Sequence, residues 1–191
     1  MLAFAAPAKA ALLYDNGSPN NSGGYEMTRW LVADNFSFAN PATVQRIRFW
    51  AFLSGTNASY SGEIHWMFLT NSSNNPEDPI AQGGGPVTPV NQGALAFNNS
   101  DQLQFDVLTG GVSLGAGNYW LVLHNGDFYT NTAYSGMFWQ TSSIIGQTPG
   151  AESRYFPLFG TIQTWNVYGA DFAFQLYDDT GLPAAGGDPP F

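Results

Sequence analysis

From Thr43 to Leu53 the chain alternates with period two more strictly than anywhere else, and this stretch restricts the fold more than any other feature. Ile47, Phe49, Ala51 and Leu53 share one face, while Arg46, Arg48, Trp50 and Phe52 share the other. That is the spacing of a β-strand with one side turned to a core, because successive side chains of a strand point to opposite faces. The large and charged residues beside Phe52 predict a second side that is partly covered rather than fully wet.

The same pattern recurs along the chain. Glu63 to Thr70 places Ile64, Trp66 and Phe68 opposite Glu63, His65 and Met67, and Asn118 to Asn125 places Tyr119, Leu121 and Leu123 opposite Trp120, Val122 and His124. Leu103, Phe105 and Val107 mark a further strand that Gly110-Gly111 is expected to end, and Phe172, Phe174 and Leu176 mark one from Asp171 to Tyr177. Between Arg29 and Phe38 the inward set is Trp30, Val32, Phe36 and Phe38; Asp34 interrupts it, which predicts a bulge or two short strands meeting there. Leu12 to Asp15 and about Tyr134 to Thr141 complete the series. Asn16 to Gly24 and Asn71 to Pro79 read as polar loops, and Ile80 to Val90, broken by Gly83 to Gly85 and prolines, reads as short edge strands only. Ser142 to Gly169 reads as a long surface loop with one irregular strand.

No stretch of ten residues has helical amphipathicity. Eight to ten short strands separated by turn signals predict an all-β, antiparallel β-sandwich of jelly-roll-like type. An immunoglobulin-like topology is the alternative, although its Cys…Trp…Cys hallmark is absent from a chain with no cysteine.

The chain of 191 residues is the size of one such domain, with 15 Phe, 9 Tyr and 6 Trp supplying enough apolar surface to offset the entropy of ordering. Its formal charge of −9 would repel polyanions, so nucleic acid is a poor partner, whereas neutral glycans, cations and proteins stay open. Residues 1–10 resemble the remnant of a signal peptide, with an apolar stub from Leu2 to Ala6 and the small-x-small cleavage pattern Ala8-Lys9-Ala10. Residues 11–177 then form the sandwich domain, and 178–191, rich in Gly, Pro and Ala, form a linker or tail. No run reaches the ~18 apolar residues of a membrane span. The expected location is secreted or within a bacterial cell envelope.

Five segments in order, VADNFSF at 32–38, VQRIRFW at 44–50, DPIAQGG at 78–84, GAGNYWLVL at 115–123 and DFAFQLY at 171–177, resemble exported bacterial proteins that often carry a PEP-CTERM sorting signal. The resemblance covers roughly residues 11–177. It implies export, a sandwich domain, association with the envelope or extracellular polysaccharide, and no catalytic residues. The sorting signal itself is not present in this sequence, which ends Gly186-Gly187-Asp188-Pro189-Pro190-Phe191.

Catalytic chemistry finds little purchase. Gly111-Val112-Ser113-Leu114-Gly115 spells a nucleophile elbow, yet that motif works at a strand-to-helix turn and here a strand follows. His65 and His124 lie on separate strands with no sequence-near third ligand for zinc. Glu26, Asp34, Glu63, Asp106, Asp127 and Asp171 could supply a glycosidase pair, but sequence cannot bring two of them together. A structural calcium is the one cofactor contemplated: clipping the first and last strands would recruit Asp15, Glu26 and Asp171, with solvated surface acids as the competing reading.

Sugar rings stack on flat aromatic side chains, and loops carry such sites on rigid scaffolds. Trp139, Tyr155, Trp165 and Tyr168, in or beside the irregular late region, are the candidate platform, against the alternative that they anchor the core or a loop. Trp30, Trp66 and Phe49 fit core periodicity. The reading is a non-catalytic module that binds extracellular polysaccharide or a cell-surface protein. A structural matrix or filament component is the alternative, and a polysaccharide-active hydrolase stands third.

Overall fold

The computed structural model describes residues 11–55, 58–128, 136–144, 151–153, 155–156, 161–162, 165–167 and 169–179. These residues contain strands and no helix. In chain order the strands are β1 (Leu12–Asp15), β2 (Pro19–Glu26), β3 (Leu31–Phe38), β4 (Ala42–Leu53), β5 (Glu63–Ser72), β6 (Asn75–Pro86), β7 (Val90–Ala94) and β8 (Asp101–Leu114). There follow β9 (Gly117–Asn125), β10 (Met137–Ser142), β11 (Ala151–Ser153), β12 (Tyr155–Phe156), β13 (Thr161–Ile162), β14 (Asn166–Val167) and β15 (Phe174–Tyr177).

Two antiparallel sheets make a β-sandwich. The seven-stranded sheet runs β1-β15-β4-β10-β2, with β8 along the other side of β4 and β7 outside β8. The six-stranded sheet runs β14-β11-β3-β9-β5-β6, and the chain passes from one of these sheets to the other at β2–β3, β3–β4, β4–β5, β6–β7, β8–β9, β9–β10, β10–β11 and β14–β15. The alternation in the sequence is the alternation in space. Ile47, Phe49 and Ala51 of β4, Phe105 and Val107 of β8, and Phe174 and Leu176 of β15 meet Val32 and Phe36 of β3, Leu121 and Leu123 of β9, and Trp66 and Phe68 of β5 in one interior. Each of the Val, Ile, Leu and Phe side chains, fully buried, contributes roughly 1.5–3 kcal/mol.

The six-stranded sheet is buried on its other side as well. Leu31 and Ala33 of β3, Met67 and Leu69 of β5, Trp120 and Val122 of β9 form a second apolar cluster with Phe128, and Trp165 packs against it. This explains why NYWLVLHN is apolar on both of its faces: β9 lies in the middle of a covered sheet.

Several boundaries differ from expectation. Asn16 to Gly24 is not all loop, since β2 forms there by pairing with β10; Asn, Ser and Gly are tolerated because the strand sits at the sheet edge, where it needs a backbone partner on one side only. Asp34 causes no bulge, for β3 keeps an unbroken register with β9 from Val32↔Leu123 to Phe38↔Gly117, and the carboxylate simply faces inward. Gly110 and Gly111, at φ 74° and 90°, do not end β8 but carry it to Leu114 beside a register shift between Val44 and Arg46. Residues 71–79 form a hairpin rather than a polar loop, turning at Ser73 and Asn74, both with positive φ, into a β6 of 12 residues. The late region carries the short strands β11 to β14, with β11 extending the six-stranded sheet beside β3.

The glycines that seemed to fragment β6 instead allow its contact with β5. Gly83 lies opposite Trp66 and Gly84 opposite His65, and a Cβ at Gly83 would come within 2.8 Å of Trp66 Cζ2. Each ring lies across the glycine facing it, a cross-strand arrangement that fills the space a side chain would take.

Candidate functional site

With one outer face covered by Phe128 and Trp165, the outer face of the seven-stranded sheet is the broad surface carrying chemistry. On β4 the outward residues are Arg46, Arg48, Trp50 and Phe52; β8 sets Leu108, Asp106, Gln104 and Gln102 directly opposite them, and β15 sets Tyr177 and Gln175 opposite Arg46 and Arg48. Two of the chain's five basic residues thus stand two positions apart on one strand, as period two requires.

Asp106 is the hub. Arg48 donates to it twice, Nε to Oδ1 at 2.9 Å and Nη2 to Oδ2 at 2.8 Å, and Arg46 Nη1 donates to Oδ1 at 2.7 Å. Arg46 also donates from Nη2 to Asp179 at 2.8 Å and lies over the Tyr177 ring, 3.9 Å from its centroid. Burial pushes the Asp106 carboxyl up, but the hydrogen bonds and charges of Arg48 and Arg46 outweigh it and hold the group below the usual carboxylate range. The bond to Asp106 raises Arg48 in turn. Arg46 is sunk in the sheet with 5% of its side chain exposed, whereas Arg48 at 29% and Asp106 at 34% reach solvent. The cluster balances two guanidinium groups against two carboxylates.

Arg46, Arg48 and Asp106, with Val107, Leu108 and the Gly84–Thr88 segment, line a cleft of about 450 Å³. Along the same face lies an aromatic zone, where Phe52 stacks on Phe138 at 5.2 Å and Phe97, 43% exposed, meets Phe52 edge-on at 5.3 Å. Half-buried Trp50 stands on β4 between the two zones. Planar hydrogen-bonding groups beside aromatic rings can hold the hydroxyls and the C–H face of a saccharide together.

No protein-family model, curated protein or solved structure matches this chain.

Of the residues expected to bind ligand, Trp139 and Trp165 lie away from this face. Trp139 is a correction: it is 0% exposed, stacked on Phe172 at 4.9 Å, and its Nε1 donates to Ala173 O at 3.0 Å, so neither ring face is open to a sugar. Its position on β10 opposite Ala51 turns it into the core. Trp165 packs on the back of the six-stranded sheet. The Tyr155 side chain and Tyr168 lie outside the described residues. Trp66 and Phe49 are core residues as expected, and Trp30 packs partly buried against the core.

The calcium set is not assembled either. Among the described residues no group of three or more His, Asp or Glu side chains could hold a metal ion. Asp15 accepts from Gly17 N at 2.9 Å, and Glu26 accepts from Thr28 N at 3.0 Å and Arg29 N at 2.8 Å, so both carboxylates cap turns. Asp171 is buried beside a different acid, Asp34.

Asp34 is 1% exposed and joins the two sheets. Its Oδ2 accepts from Asn16 Nδ2 at 2.7 Å and Phe172 N at 2.6 Å, and its Oδ1 from Asn35 N at 2.8 Å. Burial drives this carboxyl well above its ordinary value, with the Asp171 charge adding to the rise and the three hydrogen bonds opposing it. Tyr14 nearby is pushed up to about 12, first by burial and then by Asp34, Asp171 and Asp15. The signal in the sequence was the carboxylate on an otherwise apolar face.

The two histidines, separate in sequence, are cross-strand neighbours: His65 lies opposite His124, and Phe128 packs on both at 5.6 and 5.7 Å. His124 donates from Nδ1 to Gly126 O at 2.9 Å, and burial holds its pKa below the usual imidazole value. Ser113 sits within β8, with its Oγ 3.1 Å from Thr43 Oγ1, and has none of the strand-to-helix geometry of a nucleophile elbow.

Proposed function

We propose that this chain is a non-catalytic, exported or envelope-associated module that binds extracellular polysaccharide across the outer face of its seven-stranded sheet. The observation that carries the reading is the Arg46–Asp106–Arg48 cluster beside Tyr177, half-buried Trp50 and the exposed Phe97 ring that packs on buried Phe52. Its guanidinium and carboxylate groups are fixed in place before any ligand arrives, which lowers the ordering cost of binding. Their balanced charge favours neutral saccharide over a polyanion. A binding role fits better than hydrolysis, because the carboxylate at the cleft is gripped by two arginines and held below the usual range, opposite to what a general acid needs.

Affinity electrophoresis through gels containing neutral or acidic bacterial polysaccharides tests the reading. Retardation by a neutral polysaccharide, reduced at least tenfold in affinity by Arg48→Gln and by Trp50→Ala in folded protein, is the expected result. Equal mobility in every gel, or retardation untouched by both substitutions, would end it.

Assembly into a matrix has one observation in its favour: β7 is exposed along its length, with Val90 56% exposed, and pairs only with β8 among the described residues. Concentration-dependent association in sedimentation, abolished by Asn91→Pro and indifferent to polysaccharide, would favour it.

A further inference from the structure

A second, smaller recess of about 160 Å³ shares no residue with the Arg48 cleft. It is lined by Asn35 and Ser37 of β3, Asn71 of β5, Asn74 of the β5–β6 turn, Asn118 of β9 and Tyr14 of β1. We infer that this asparagine-lined recess is a second saccharide site, one that takes a single neutral pyranose ring.

The lining decides the ligand class. Among the described residues no carboxylate, guanidinium, ammonium or imidazole lines it, and Tyr14 stays protonated because burial and its acidic neighbours push it up to about 12. An anion would need a wall of donors, a divalent cation would need carboxylates, and an apolar ligand would find little apolar wall. The lining holds four carboxamides and two hydroxyls, groups that carry both donor and acceptor atoms as pairing with sugar hydroxyls demands. The volume suits one ring and leaves no room for a side-chain-bearing peptide strand.

The groups are also held in place. Asn71 Oδ1 accepts from Trp120 Nε1 at 3.2 Å, which fixes the orientation of its amide. Asn118 stands directly opposite Ser37 in the β3–β9 register. Asn74 has φ 62° behind Ser73 at φ 52°, a tight turn that sets the amide at the rim. Glycine would satisfy that backbone at less cost, and the asparagine adds a side chain that lines the recess.

The inference shares its ligand class with the proposed function but rests on different residues, so the two can fail separately. The test is NMR of the side-chain amides during titration with glucose, galactose, mannose and N-acetylglucosamine, with tetraglycine as a peptide control. Saturable shifts of the Asn71, Asn74 and Asn118 amides by at least one sugar are expected. Asn74→Gly, which preserves the turn, and Asn118→Ala, at an exposed site, should each weaken that binding at least fivefold, while Arg48→Gln leaves it unchanged. Silence with all four sugars, shifts caused by tetraglycine alone, or shifts that survive both asparagine substitutions would overturn the inference. Sugar shifts abolished by Arg48→Gln and untouched by Asn74→Gly would likewise overturn it, and would return the ligand to the outer face. Shifts here without any polysaccharide retardation would leave this site standing and remove the proposed function.

Discussion

Arg48 grips Asp106 with two parallel hydrogen bonds, at 2.9 and 2.8 Å, on a face where Arg46 holds the same carboxylate from the neighbouring row. The Asp106 carboxyl lies below its ordinary value, so the cluster stabilises the fold above the unfolded carboxylate pKa and that contribution is lost as pH falls through the folded value. Asp106→Asn should therefore cost about 1 kcal/mol or less at pH 7, a small figure because Asp106 and Arg48 are screened by solvent. The difference from the parent should hold down to about pH 4 and begin to narrow only below it. Urea unfolding of both proteins at pH 7 and pH 3 measures it, and a gap that widens in acid would contradict the arrangement.

Asp34 should show the opposite slope. Its carboxyl is raised in the folded protein, so its stabilising effect is full below the unfolded pKa and declines as pH rises through the folded value. Relative to Asp34→Asn, which cannot titrate, the parent should lose stability progressively from about pH 4 upward. Asp34→Ala should be worse at every pH, by about 1–3 kcal/mol for each buried donor left without an acceptor. Unfolding midpoints collected across that range decide the matter; parallel curves for parent and Asp34→Asn would exclude a titrating Asp34.

Trp50 and Trp139 separate binding from packing. Trp139→Ala should destabilise by about 3–5 kcal/mol, since it removes a wholly buried indole and its bond to Ala173 O. Trp50→Ala, at a half-buried outward position, should cost less stability and more polysaccharide affinity. Thermal melts run beside gel retardation give both numbers, and a stable Trp139→Ala would show the core assignment to be mistaken.

Gly83→Ala should cost about 1–3 kcal/mol through displacement of the Trp66 ring, as overpacking does. Gly23→Ala, where nothing lies within 4 Å of the added carbon, is the control and should be near neutral. Equal melting temperatures for the two variants would refute the ring-over-glycine contact.

The sandwich was legible because alternation reports burial directly: Ile47, Phe49 and Ala51, or Phe172, Phe174 and Leu176, needed no neighbour to reveal which side faced inward. What alternation could not reveal was partnership. β2 looks like a loop because its strand character comes from β10, more than a hundred residues later. The second covering of β9 was visible only as an unexplained run of apolar residues, and the strand read over about Tyr134 to Thr141 did not by itself show that Trp139 faces inward, which follows from its place opposite Ala51 of β4. Arg46, Arg48 and Asp106 could each be read from the sequence, but their convergence needed the register between β4 and β8.

The order β1-β15-β4 has a kinetic corollary. The first strand meets the rest of its sheet through the last one, Leu12 pairing with Tyr177, and Asp34 reaches across to Phe172 N in the same closing segment. Contacts so remote in sequence place the protein among slow folders, with relaxation expected in roughly milliseconds to seconds rather than microseconds. A ribosome-bound chain that has not yet released residues 172–177 would hold β1 without the strand it pairs with, so this edge of the sheet closes only after synthesis is nearly done.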